Sequence, residues 1–137
     1  MIEITPVSPR ELRALCLNAA EPWLRENADK CEECAAYGPE WIMRQDGVAV
    51  MAGGFMEFKY ASALAWVIIA RETDLALTMI RTCRRYLKQA PYLWIEAQVA
   101  DNFDASLRFV KLVGFQPIGH CYGFDGTRLN RFVFKDF

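Results

Sequence analysis

The chain has 137 residues, 53% of them hydrophobic and 24% charged, with 16 Lys+Arg set against 17 Asp+Glu. That apolar content excludes an intrinsically disordered chain. The near-neutral balance argues against a free-standing nucleic-acid binder relying on a bulk positive field, and the length is that of one domain. The longest apolar run, Ala61 to Ala70 with Ser62 inside it, is ten residues, well short of the roughly 20 that a membrane-spanning helix needs. Met1-Ile2-Glu3-Ile4 is alternating and acidic, without the basic start and apolar stretch of a signal peptide. Five cysteines, an odd number, fit free thiols in a reducing, cytoplasmic compartment better than a disulfide framework.

Residues 2–5 read as a short strand. Ser8, Pro9 and Glu11 supply an N-cap, a proline at the first helical position and an acid in the first turn, so a helix of about three turns follows with Leu12, Leu15 and Cys16 inward. Pro22 opens a second helix, whose stripe Leu24, Ala28, Cys31 and Ala35 ends at Gly38-Pro39. The period then changes to that of strands. Trp41–Arg44 and Val48–Phe58 are joined by Asp46-Gly47, a strong hairpin signal, and Gly53-Gly54 marks a bulge or a close backbone approach. Leu64–Ala70 is apolar on both faces, as a central strand is. Thr73 caps a helix from Asp74 to Gln89, with Ala76, Met79, Ile80, Cys83 and Leu87 inward. Tyr92–Val99 is a further apolar strand. Residues 103–113 form a helix closed by Gly114, and strands at 116–124 and 129–136 flank Asp125-Gly126.

No linker, repeat or low-complexity tract interrupts this pattern, so residues 1–137 read as a single domain. The element order β-α-α-β-β-β-α-β-α-β-β defines an α/β (α+β) architecture: a mixed, mostly antiparallel sheet of about seven strands with helices on both faces.

That order, together with Asn102-Phe-Asp-Ala-Ser-Leu-Arg-Phe-Val-Lys-Leu-Val-Gly-Phe115, resembles the GNAT superfamily of acetyl-CoA-dependent N-acetyltransferases. Ser106, Phe109 and Gly114-Phe115 stand at the spacing of that family's small residue, aromatic residue and terminal Gly-Phe. The resemblance implies a GNAT-like fold and acetyl transfer from acetyl-CoA to an amine. It assigns Val67, Ile68, Ile69, Arg71, Asn102 and Ser106 to the cofactor, with Asn102 one position off the family register.

Two positions depart from the family pattern. The loop Ala70-Arg-Glu-Thr-Asp-Leu75, where the family cradles the pyrophosphate on a glycine-containing turn, has no glycine and carries Glu72 and Asp74. Val110 stands where many members place the tyrosine that protonates the departing thiolate; Tyr122, or Cys121 beside it, is the substitute. Glu96, flanked by apolar residues and so open to a raised pKa, and Glu57 are the candidate bases. A solvated carboxylate or one paired with an arginine is the alternative for Glu96. The retained fold with altered chemistry is similar to the acetyltransferase-like internal virion proteins of short-tailed bacteriophages. Trp66, the arginine-rich helix, Ser106–Lys111 and the Asp125-Gly126 hairpin carry that likeness. It implies, as the leading reading, a virion-assembly or genome-ejection role with degenerate or absent catalysis, a protein partner in the phage particle or the host, and a location in the host cytoplasm or the virion; a divergent acetyl-CoA-dependent N-acetyltransferase is the alternative.

Arg81, Arg84, Arg85 and Lys88 fall on one helical stripe, the candidate surface for an acidic protein partner or nucleic-acid phosphates. Cys31-Glu-Glu-Cys34 has zinc or redox spacing. The pair lies within a helix rather than on turns, and its flanking acids raise thiol pKa values, so buried thiols and no metal are expected. His120 is the only histidine, which excludes a multi-histidine metal site and leaves it a local packing role. Asp101-Asn102-Phe103-Asp104 reads as an Asx cap. Phe132, Phe134 and Phe137 pack internally or across a homo-oligomer interface.

Overall fold

In the computed structural model, the sequence signals at Ser8 become a complete helix start. The Glu11 amide donates to Ser8 Oγ at 3.3 Å, and Ser8 Oγ donates to Glu11 Oε1 at 3.1 Å. One of the first-turn amides left over by helix geometry is thereby satisfied, and the Glu11 carboxylate holds the capping hydroxyl in place. The structure describes residues 1–6, 8–34, 40–70, 75–123 and 125–135, without the side chains of Cys31, Glu32 and Cys34.

The elements are β1 (Ile2–Thr5), α1 (Pro9–Leu17), α2 (Pro22–Glu26), α3 (Ala28–Cys34), β2 (Glu40–Gln45), β3 (Val48–Phe58), β4 (Ser62–Ile69), α4 (Ala76–Gln89), β5 (Trp94–Ala100), α5 (Asp104–Val113), β6 (Phe115–Tyr122) and β7 (Arg128–Phe134). The strands form one seven-stranded sheet in the order β1-β2-β3-β4-β5-β7-β6. The β4–β5 pair is parallel, whereas β1–β2, β2–β3, β5–β7 and β6–β7 are antiparallel. A mixed, mostly antiparallel α+β fold is therefore what the pattern predicted. The chain groups into two compact units, Met1–Glu57 with Ala65–Leu75, and Phe58–Leu64 with Ala76–Phe137.

The first unit is built on α1. Leu12, Leu15, Cys16 and Ala19 pack with Ala28, Ile42, Ala52, Ile68 and Ala70 in one buried cluster, and Leu24, Ala49 and Trp66 lie against it. Arg44 on β2 reaches Thr5 Oγ1 at 2.6 Å and pairs with Glu11, joining β1, β2 and α1 through one guanidinium. The single helix expected from Pro22 is instead two, α2 and α3. Asn27 Nδ2 donates to the Trp23 carbonyl at 2.8 Å, and the Asn27 backbone leaves helical geometry at φ −124°, ψ 34°. An asparagine that bonds back to the preceding turn competes with the helical ladder and ends it. Ala35 and the Gly38-Pro39 stop lie outside the described residues.

Asp46 and Gly47 both adopt positive φ, as a tight primed hairpin turn needs. In the β2–β3 ladder the bulge is at Val50 of β3, opposite the Met43/Arg44 step, and Gly53 and Gly54 pair in regular register with Trp41 and Glu40. Gly53 is the close approach: a Cβ there would lie 2.7 Å from Trp41 Cζ2 and 3.2 Å from the Trp66 carbonyl oxygen. The Trp41 ring therefore crosses β3 at Gly53, its register partner, where no side chain blocks it.

In the second unit, α4 buries Met79, Thr82, Cys83 and Leu87. Of the expected stripe, Ala76 is exposed and Ile80 half-buried, with Thr82 taking an inward place. Burial pushes the Cys83 thiol up to about 12, so it stays protonated and inert. The expected cap Thr73 and start Asp74 lie outside the described residues. On α5 the cap residue is Phe103 with no side-chain cap bond, so the expected Asx cap is not formed. Asp101 instead accepts from Asn130 Nδ2 at 2.5 Å, fixing β7.

Gly114 ends α5 at φ +120°, and a Cβ there would meet Arg84 Nη1 at 3.0 Å and the Phe134 ring at 3.2 Å. Phe115 and Phe134 pack with ring centroids 5.5 Å apart, which places Phe134 inside this unit. Phe132 is buried as well, and Phe137 lies outside the described residues. The hairpin at Asp125-Gly126 forms as expected, with the Thr127 amide donating to Asp125 Oδ1 at 3.0 Å.

Gly53→Ala is expected to cost about 1–3 kcal/mol because the Trp41 ring has to move. Gly114→Ala costs a similar amount from left-handed strain. Urea unfolding of each variant, read against a solvent-exposed control such as Ala105→Ser, checks both values.

Candidate functional site

The β4–β5 ladder is short. Ser62, Ala63 and Leu64 pair with Trp94, Ile95 and Glu96, and the register ends there. β4 nevertheless continues as strand to Ile69. The direction of its peptide groups is fixed by one bond: the Ala70 amide donates to the Val50 carbonyl on β3 at 2.9 Å. In a trans peptide the C=O points opposite to the N–H, so the Ile69 carbonyl faces away from β3. It accepts there from the Ala20 amide at 2.8 Å. Strand alternation then turns the N–H and C=O of Val67, and the N–H of Ile69, to the same outer edge. The groups of Ile68 turn toward β3, and its side chain is buried in the α1 cluster. Of the three expected cofactor-contacting residues on this strand, Val67 and Ile69 therefore present an edge and Ile68 supports it from behind. Among the described residues no strand pairs with Val67 on that edge.

Glu96 is the β5 residue at which the ladder ends. Alternation puts Trp94, Glu96 and Gln98 on one face of β5, and Arg131 is the register partner of Gln98 on β7. The Glu96 carboxylate is enclosed by donors: Arg131 Nη2 at 2.7 Å and Nε at 2.9 Å, Gln98 Nε2 at 2.9 Å and Trp94 Nε1 at 3.4 Å. Its side chain is 12% exposed. The sequence suggested a raised pKa for this residue, and the opposite holds. The Arg131 hydrogen bonds lower it, burial raises it, and the Gln98 and Trp94 bonds lower it further, for a net shift below the ordinary carboxyl range. Four donors match the roughly four lone-pair positions of a carboxylate, so Glu96 is a saturated anion rather than a vacant base. The alternative of an arginine-paired carboxylate is the one realised. Only the β5–β7 register brings Arg131 to it, across 35 residues of sequence.

The other expected site residues are dispersed. Glu57 is exposed at the end of β3, and Tyr122 is 65% exposed at the end of β6, where its ring meets His120 edge-on at 5.7 Å. Asn102 is exposed in the turn before α5, and Ser106 is half-buried on α5. Val110, the position of the altered tyrosine, is buried. Arg71 and the glycine-free loop at 71–74 lie outside the described residues, as do the side chains of the Cys31/Cys34 pair. The basic stripe on α4 is divided. Arg81, Arg85 and Lys88 are exposed, while Arg84 donates to the Val113 carbonyl at 2.9 Å and so closes the C-terminal end of α5. Among the described residues no group of three or more His, Cys, Asp or Glu is placed to hold a metal, and no helix is long and apolar enough to cross a membrane.

Comparison with solved structures places this architecture in a defined class: the fold is that of the GNAT acetyltransferases. The IAA acetyltransferase of Bacillus cereus superposes with a TM-score of 0.76 at 11% identity, covering 98% of this chain and 99% of that one. The N-acetyltransferase of Staphylococcus aureus Mu50 gives 0.73 at 11% identity, over 98% and 97%. A protein of Salmonella typhimurium described as a putative acetyltransferase, solved with its cofactor acetyl-CoA, gives 0.66 at 13% identity, over 98% and 93%. No family model and no curated protein matches the sequence. The likeness is one of fold, at identities where side-chain chemistry does not carry over.

Because the folded-state pKa of Glu96 is depressed, its contribution to stability is present above the unfolded value of about 4.5 and is lost as pH falls through the lower folded value. Glu96→Gln is therefore expected to be less stable than the parent at pH 7 and to show a shallower loss of stability below about pH 4.5. Urea titrations across that window measure both.

Proposed function

We propose that the protein is a divergent acetyl-CoA-dependent N-acetyltransferase acting on an amine. The single observation that carries this reading is the end of the β4–β5 ladder at Leu64 and Glu96 while β4 runs on to Ile69. The pantetheine arm of acetyl-CoA contains two secondary amides in an extended chain. An open strand edge binds such a chain through main-chain hydrogen bonds, as a strand binds an added strand. Val67 and the Ile69 amide are the edge groups for it. The acetyltransferase names of the structural neighbours, one of them solved with acetyl-CoA, support the same reading.

When bound, acetyl-CoA supplies an activated acetyl group. A neutral amine nitrogen bonds to the thioester carbon, the C–S bond breaks, the nitrogen loses a proton and the sulfur gains one. Glu96 takes the amine proton only if it gives up donors from Arg131, Gln98 or Trp94. With its acceptor positions filled by those donors, Glu96 anchors β5 to β7 through Arg131 and takes no proton in this reading. Glu57 and solvent water remain the candidate proton acceptors, and Tyr122 the candidate donor to sulfur.

The virion-assembly role implied by the phage-protein likeness is the second reading. Exposed Arg81 and Arg85 on α4 favour it, as a docking stripe for an acidic phage or host protein or for nucleic-acid phosphates. The acetyltransferase reading ranks above it because the strand edge suits an amide-bearing cofactor and one structural neighbour was solved with acetyl-CoA.

Calorimetric titration with acetyl-CoA is expected to show saturable micromolar to sub-millimolar binding, and a panel of primary amines to give amine-dependent release of free thiol. Absence of binding at millimolar acetyl-CoA overturns the reading.

A further inference from the structure

The outer edge of β4 is not open along its whole length, because the linker between α1 and α2 covers its C-terminal end. Ala19 forms an antiparallel bridge with Ala70, and the Ala20 amide donates to the Ile69 carbonyl at 2.8 Å. The linker is in turn braced from α2. Arg25 Nη1 donates to the Ala19 carbonyl at 2.8 Å and to the Ala20 carbonyl at 3.3 Å. Ala19 is fully buried, whereas Ala20 is exposed and held by backbone bonds. The segment behaves as a one-bridge surrogate strand. It is anchored at Ala19, clamped by one arginine and laid over the last carbonyl of the edge proposed for the pantetheine arm.

We infer that residues 18–21 form a strap that competes with acyl-CoA for the C-terminal end of the β4 edge, with Arg25 as its latch. The inference rests on the proposed acetyl-CoA site and concerns its regulation. From Leu64, where the β5 ladder stops, to Ile69, where the strap begins, the edge spans five residues, or about 16 Å at 3.3 Å per residue. That accommodates a short extended amide segment. A longer one has to displace Ala20 from the Ile69 carbonyl. Displacement exchanges one main-chain hydrogen bond for another, so the strap sets affinity without being an absolute barrier. Any partner that draws Arg25 away from the Ala19 and Ala20 carbonyls loosens the strap and raises acyl-CoA affinity.

The experiment uses the full chain and acetyl-CoA as the probe. Arg25→Ala removes the latch, and Ala20→Pro removes the donor to Ile69; thermal melting and circular dichroism establish that each variant is folded. Each is expected to bind acetyl-CoA about three- to tenfold more tightly than the parent, the worth of one net hydrogen bond. In the parent, saturation with acetyl-CoA is expected to speed hydrogen exchange at the Ala20 amide. Equal affinity in parent and folded variants, or slower exchange at Ala20 on saturation, overturns the strap and leaves the acetyl-CoA site standing. Binding by a variant but not by the parent supports both. Absence of binding in all three proteins overturns both.

Discussion

The peptide group between Ile69 and Ala70 has to be satisfied on two sides at once, and the first unit is organised around how that is done. Its N–H faces β3 and its C=O faces the α1–α2 linker. A buried peptide left unpaired on either side costs about as much as a lost hydrogen bond. Both demands are met by chain segments far apart in sequence. That constraint fixes the end of β4, places Ala19 in the core beneath α1 and requires a turn between α1 and α2. Arg25 then supplies donors to the carbonyls that the turn leaves exposed.

The same logic explains why β4 is split between two environments. Over Ser62–Leu64 its outer edge is satisfied by parallel pairing with β5, and at Ile69 by the linker. Between them lies a strand edge with directed amide groups and no ladder among the described residues. A strand edge left this way inside a sheet is either covered or used. Glu96 at the end of the ladder is held ionised by Arg131, Gln98 and Trp94.

Gly114 illustrates how several constraints meet at one residue. It ends α5 in a left-handed conformation, admits the Arg84 guanidinium to the last carbonyls of that helix and lets Phe134 pack beside Phe115. The Gly-Phe pair that carries the family likeness is thus explained by packing and capping within the second unit. Arg84 belongs to this structural joint rather than to the solvent-facing stripe it occupies in a helical projection.

Local rules sufficed for what depends on neighbours in sequence. The Ser8 cap, both Asp-Gly turns, the Gly114 stop and the type of nearly every element follow from the short-range geometry of those residues, and their order was enough to specify the mixed sheet. Tertiary structure alone decided the break at Asn27, where side-chain competition outweighed a continuous apolar stripe. It alone decided which glycine was a close approach, because that depended on the Trp41 ring from a neighbouring strand. The sign of the Glu96 pKa shift turned on the register of β7, and the strap over Ile69 on chain segments about 50 residues apart. Periodicity records which face a residue takes, not which distant charge or amide the fold delivers to it.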